Sequence, residues 1–135
     1  MRQRLMLLVM WLCGYLICLC FLFIFLSKGW MLADNFKKDF ATATAIFAPY
    51  LTPIVAFWFA KRNNPRTTTE KSEAFYVAVI MSAIFNILVL AIIAHSFVQT
   101  GEGVIEENLD LAVTVGAGVT FLVGPAIGYY FGKTG

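Results

Sequence analysis

"LAVTVGAGVTFLVGPAIGYYFG", residues 111–132, contains no Lys, Arg, Asp or Glu and five glycines: Gly116, Gly118, Gly124, Gly128 and Gly132. Glycine costs about 0.8–1.0 kcal/mol relative to alanine in a helix in water, so this composition argues against a helix packed in an aqueous domain. A run of about 20 apolar residues crosses a hydrocarbon core about 30 Å thick. In that solvent, small residues let a second backbone come close, and close packing offsets the poor helix propensity. The segment reads as a membrane-spanning helix with a smooth packing face.

Three further runs share its length and lack of charge. Residues 5–26, 40–60 and 74–95 contain no Lys, Arg, Asp or Glu, and all four runs are 21 or 22 residues long. The chain is 60% hydrophobic and 13% charged, against about 45–50% and about 25% in soluble domains. Too few polar residues remain to coat a water-facing surface. The expected fold class is therefore all-α: a polytopic membrane protein forming a single four-helix transmembrane domain over residues 1–135, with spans at about 5–26, 40–60, 74–95 and 111–132 and short loops. The first run is longer than the roughly 7–15 apolar residues of a secretory signal, so it reads as a retained span. Cys13, Cys18 and Cys20 all lie within it and read as small apolar side chains rather than a disulfide framework.

Orientation follows from where the cations fall, since Lys and Arg gather on the cytoplasmic side. With the N-terminus inside, Arg2, Arg4, Lys61, Arg62, Arg66, Lys71 and Lys133 are internal. Lys28, Lys37 and Lys38 are external, together with the acids Asp34, Asp39, Glu102, Glu106, Glu107 and Asp110. Both termini are thus expected in the cytoplasm, and the chain in a bacterial inner membrane. Trp58, Tyr76, Tyr129 and Tyr130 fit the inner headgroup level and Trp30 the outer one. No internal repeat is legible.

Residues four apart share a helical face, and the last span carries Ala112, Gly116, Thr120, Gly124, Gly128 and Gly132 in that register. The second carries Thr44, Ala48, Thr52, Ala56 and Ala60, and the third Ala74, Ala78, Ser82 and Asn86. Stripes of this kind drive helix association in lipid, either within one chain or between copies. The first span offers only Gly14 and Cys18, so it is expected to lie towards lipid while the other three form the packed centre. A homo-oligomer is expected. Pro49, Pro53 and Pro125 each remove a backbone donor; they are candidate hinge or gate positions, with Thr44 and Thr52 placed to satisfy freed carbonyls. Asn86, at mid-span, is a candidate assembly or gating residue, and His95 an interfacial anchor.

The same residues argue against several function classes. The charge-free spans lack the intramembrane carboxylate of coupled transporters. No nucleophile stands beside a base, the glycines do not follow a strand, and the single His and scattered acids have no metal spacing. The expectation is therefore no enzyme, no cofactor, no metal and no nucleic acid. The partners expected are membrane lipid, a second copy of the chain and a cytosolic effector protein docked on Lys61, Arg62, Arg66 and Lys71.

The four short spans, the basic inner loop and the stretch "FATATAIFAPYLTPIVAFWFAKR", residues 40–62, resemble the small membrane proteins of bacterial anti-phage and phage-exclusion systems, such as Kiwa-type membrane subunits and lambda-type exclusion proteins. The resemblance is one of outline and transfers no residue role. It implies an oligomeric sensor or effector subunit acting at the membrane during infection. The alternatives are a holin-like or depolarising pore, gated near Pro49, Pro53 and Pro125, and a small transporter or accessory subunit.

Overall fold

The structure is a computed structural model that describes residues 2–63, 72–99 and 103–132. They form four α-helices: α1 (Arg2–Ser27), α2 (Ala33–Asn63), α3 (Ser72–His95) and α4 (Val104–Gly132). All four are long and apolar enough to cross a membrane. Only 22–33% of each span is buried inside the chain, and the outward positions include Leu16, Phe23, Ile87 and Phe121. Apolar side chains point outwards because the surrounding solvent is hydrocarbon.

Two helices are longer than their charge-free runs. α2 starts at Ala33 and α4 at Val104, each seven residues before the uncharged stretch begins. Asp34, Lys37, Lys38, Asp39, Glu106, Glu107 and Asp110 are therefore helical, not loop residues. A charge-free window measures hydrocarbon thickness, whereas a helix continues beyond it wherever its ends are favourable. Asp34, Glu106 and Glu107 occupy first turns, where exposed N–H groups favour negative charge.

Packing order differs from chain order. α1 packs on α2 and α3, and α4 packs on α2 and α3, while the diagonal backbones α1/α4 and α2/α3 stay apart among the described residues. Two up-down hairpins, α1–α2 and α3–α4, thus lie side by side in the same sense, with α1 parallel to α3 and α2 parallel to α4. One register serves both parallel pairs. Trp11 Nε1 donates to Ser82 Oγ and Asn35 Nδ2 to Glu106 Oε1, each across 71 residues of sequence. Tyr50 and Thr120 meet across 70. This spatial repetition is hardly visible as sequence similarity, because most facing positions hold unlike residues.

The expectation that α1 lies out towards lipid is not met. Leu7, Trp11, Cys18, Leu22 and Phe25 are fully buried. Trp11 stacks on Tyr50 at 4.5 Å and lies 5.2 Å from Phe85; Phe47 closes the cluster edge-on to both Trp11 and Phe85. These rings fill the diagonal that the backbones leave open. A stripe of small residues is not the only route into a bundle centre, because one large ring reaches where a helix backbone does not. At the end that carries the termini, the Arg4 guanidinium lies over the rings of Phe57 and Tyr130, at 4.2 and 5.4 Å. Tyr130 is accordingly buried inside the chain, whereas Tyr76 and Tyr129 are exposed.

Candidate functional site

The α2–α4 seam is polar at the loop end of the bundle, where the α1–α2 and α3–α4 turns lie. α1 ends in a Schellman turn: Trp30 N–H bonds Phe25 O, Gly29 N–H bonds Leu26 O, and Gly29 takes φ +71°. Glycine meets this left-handed requirement without a Cβ penalty. The turn's apolar clasp is Trp30 against Phe25, with ring centroids 5.4 Å apart. α4 starts from Gly103, at φ +83°, whose carbonyl accepts from Glu107 N–H. Together these two turns shape a cleft of about 290 Å³ walled by Trp30, Met31, Leu32, Asn35, Gly103 and Glu106.

Asn35 and Glu106, hydrogen-bonded to each other, line that cleft. One helical turn further into the bundle come Asp39 on α2 and Asp110 on α4, in register across the seam. Asp39 is 2% exposed and its Oδ2 has no hydrogen-bond partner. It lies in the field of Glu106 and Asp110 on α4 and of Lys38 beside it. The chain thus has a buried acid inside a helix that qualifies as a span, a feature the reading of charge-free runs missed by one residue. A signal was present: Asp39 and Asp110 each directly precede an uncharged run, the place where the helix register is still shared but hydration ends. Nearby, Asn108 Nδ2 donates to Ser96 Oγ at 2.8 Å and ties the end of α3 to the start of α4.

The expected packing residues divide into internal and external sets. On α3, Ala78, Ser82 and Asn86 are buried, and Ser82 and Asn86 meet α1 at Trp11 and Gly14. Asn86 Nδ2 donates to Ser82 O, and a Cβ added to Gly14 would collide with Asn86 Oδ1 and lie 2.9 Å from its Cγ. Asn86 is thus internal to the chain. On α4, Ala112 and Gly116 are buried, and a Cβ at Gly116 would touch the Phe85 ring at 3.4 Å. Thr120 and Gly128 are exposed, and Gly124 is half-buried. A Cβ at Gly128 would meet nothing, and one at Gly124 only its own Thr120 at 3.9 Å. On α2, Thr44 and Ala48 are half-buried, while Thr52 and Ala56 are exposed. These four, with Tyr15 and Phe59, line an open groove of about 440 Å³. The side chain of Gly132's neighbour Phe131 packs on Phe57, while the surroundings of Gly132 itself lie outside the described side chains.

Pro49 and Pro53 lie within continuous α2, and Pro125 within continuous α4. Thr44 does not serve the carbonyls they free. Its hydroxyl donates to Phe40 O and accepts from Tyr15, because a helical threonine reaches back to the preceding turn. Pro49 instead borders a crevice of about 210 Å³ between α2 and α4, beside Tyr50, Phe85, Gly116 and Thr120. Thr120 gives its proton to Gly116 O, so Tyr50 donates to Thr120 at 2.6 Å. Lys61 and Arg62 fall in the last turn of α2 with side chains outside the description; Arg66 and Lys71 lie outside the described residues.

Among the described residues, no group of three His, Cys, Asp or Glu side chains is placed to hold a metal ion. Cys13, Cys18 and Cys20 are free thiols. Comparison with protein families, with curated proteins and with solved structures returns no match for this chain.

Proposed function

We propose that the chain is a non-enzymatic subunit of a bacterial inner membrane that self-assembles through the outward small residues of α2 and α4. It acts there as a sensor or effector, in the manner of the phage-exclusion proteins it resembles in outline. The observation that supports this reading is the division of the α4 stripe. Gly116 is filled from within by Phe85, whereas Gly124 and Gly128 receive no side chain from another helix. Small positions left open towards lipid admit a second helix at close range, and hydrocarbon supplies no competing hydrophobic drive. The end carrying the termini would face the cytoplasm, where Lys61, Arg62, Arg66 and Lys71 dock an acidic partner.

Native mass measurement in detergent tests the assembly. Gly124→Leu with Gly128→Leu is expected to reduce the oligomer to single chains while thermal stability holds; an unchanged particle mass rejects it. Charge reversal of the four basic residues, read by pull-down from cells, is expected to lose the partner and keep the oligomer, and an unchanged pull-down rejects the docking. The holin-like alternative has less support, since Trp11, Phe47, Tyr50 and Phe85 fill the middle of the chain. A conducting path would have to run between copies, and ion flux into protein-loaded liposomes would reveal it.

A further inference from the structure

The assembly reading makes no use of the loop end of the α2–α4 seam. Asp39 Oδ2 is buried there with no donor. A buried carboxylate oxygen is costly unless positive charge meets it. Its neighbours on α4, Glu106 and Asp110, add to the negative potential, with Lys38 opposing them. The first turn of each helix stabilises acids near its own start, but Asp39 and Asp110 lie beyond that turn. The seam therefore holds an excess of negative charge directly behind an open cleft.

The cleft has a second wall of different chemistry. Trp30 is fixed there by its contact with Phe25, and Lys28 Nζ stands 5.5 Å from the Trp30 ring centroid. The chain's own ammonium thus already rests on this ring, as expected of a cation over an indole face. Opposite lies Glu106, with one carboxylate oxygen engaged by Asn35. A metal ion suits the site poorly, because the acids do not converge into a ligand set among the described residues. The volume, about 290 Å³, is that of a small organic group. Trp30 sits where indole rings prefer headgroup depth, so lipid headgroups reach the cleft as readily as solutes do.

We infer that this cleft binds a primary ammonium group, with Glu106 as the contacting carboxylate, Trp30 as the aromatic wall, and the buried Asp39 and exposed Asp110 as countercharge behind them. The ammonium displaces Asn35 from Glu106 and takes over the ring face from Lys28. The same chemistry is offered by an ethanolamine lipid headgroup and by a soluble amine. The inference is independent of self-assembly.

The test is thermal unfolding of the purified full chain in nonionic detergent. Propylammonium chloride is titrated against potassium chloride at equal ionic strength, and lysophosphatidylethanolamine against lysophosphatidylglycerol. The expected result is a saturable rise in midpoint with the amine beyond that with potassium. Glu106→Gln is expected to need about tenfold more amine, the loss of one charge-assisted contact. Trp30→Leu is expected to weaken the response without abolishing it. Saturation by lysophosphatidylethanolamine below the concentration needed for propylammonium supports a lipid as the source, and the reverse order supports a soluble amine. A response equal to that of potassium, or one undiminished in Glu106→Gln, overturns the inference.

Discussion

The α1–α3 and α2–α4 seams are built alike and end differently. Both are parallel helix pairs in nearly the same register, tied by Trp11 to Ser82 in one and by Asn35 to Glu106 and Tyr50 to Thr120 in the other. Both contain a buried polar side chain with one oxygen lacking a donor: Asn86 Oδ1 and Asp39 Oδ2. In the first seam the oxygen is pressed against Gly14, leaving no space for anything to enter. In the second it lies one turn behind an open cleft. A neutral amide sealed by backbone serves packing, whereas a buried acid one turn behind a cleft adds negative potential to it. Depth in the membrane, which made Asn86 stand out in the sequence, does not decide the role; access does.

The largest test of this contrast is Gly14→Ala. Its Cβ has no room beside Asn86, and overpacking of a filled site costs about 1–3 kcal/mol. Unfolding in mixed detergent–dodecyl sulfate micelles is expected to show that loss, and Asn86→Ala in the same chain is expected to recover most of it, as a double-mutant cycle of touching residues should. Simple additivity of the two changes would mean that the seam is not sealed at this point.

Asp39→Asn is expected to act in the opposite direction. It replaces an acid in the field of Glu106 and Asp110 with a neutral group whose amide adds a donor to the seam. In the absence of any amine the variant should gain about 1 kcal/mol, the scale of one net hydrogen bond. A loss of stability would show that Asp39 already has a positive partner and that the two seams are equally closed.

Gly124→Ala is the smallest change. No atom of another helix comes within 4 Å of a Cβ at that position, so the expected effect on a single chain is a gain within about 1 kcal/mol from helix propensity alone. Measured on dispersed chains, a loss there would place Gly124 among the internal contacts, alongside Gly116.

Much of the fold was legible in the residues. The four runs of 21 or 22 uncharged residues predict four spans because bilayer thickness sets helix length, and the α3 stripe of Ala78, Ser82 and Asn86 does pack. Trp11 was not legible as the centre of the bundle. In a span that is apolar all round, periodicity does not say which face turns inwards, because lipid and core favour the same side chains. The acidic seam was hidden for a related reason. Asp39 and Asp110 look like loop residues when a span is taken to end at its first charge, and only helix continuity brings them opposite each other.

The chain by itself determined that it is helical, that it crosses lipid, and how often, because an unsatisfied backbone in hydrocarbon costs several kcal/mol per group and leaves a helix as the only form for a lone apolar span. Tertiary structure decided the rest: which helices are neighbours, which half of each small-residue stripe is used up inside the chain, and which buried polar atoms lack a partner. Those outcomes depend on the shapes of side chains far apart in sequence, such as Phe85 against Gly116 and Asn86 against Gly14, and one helix's pattern holds no information about the surface it will meet.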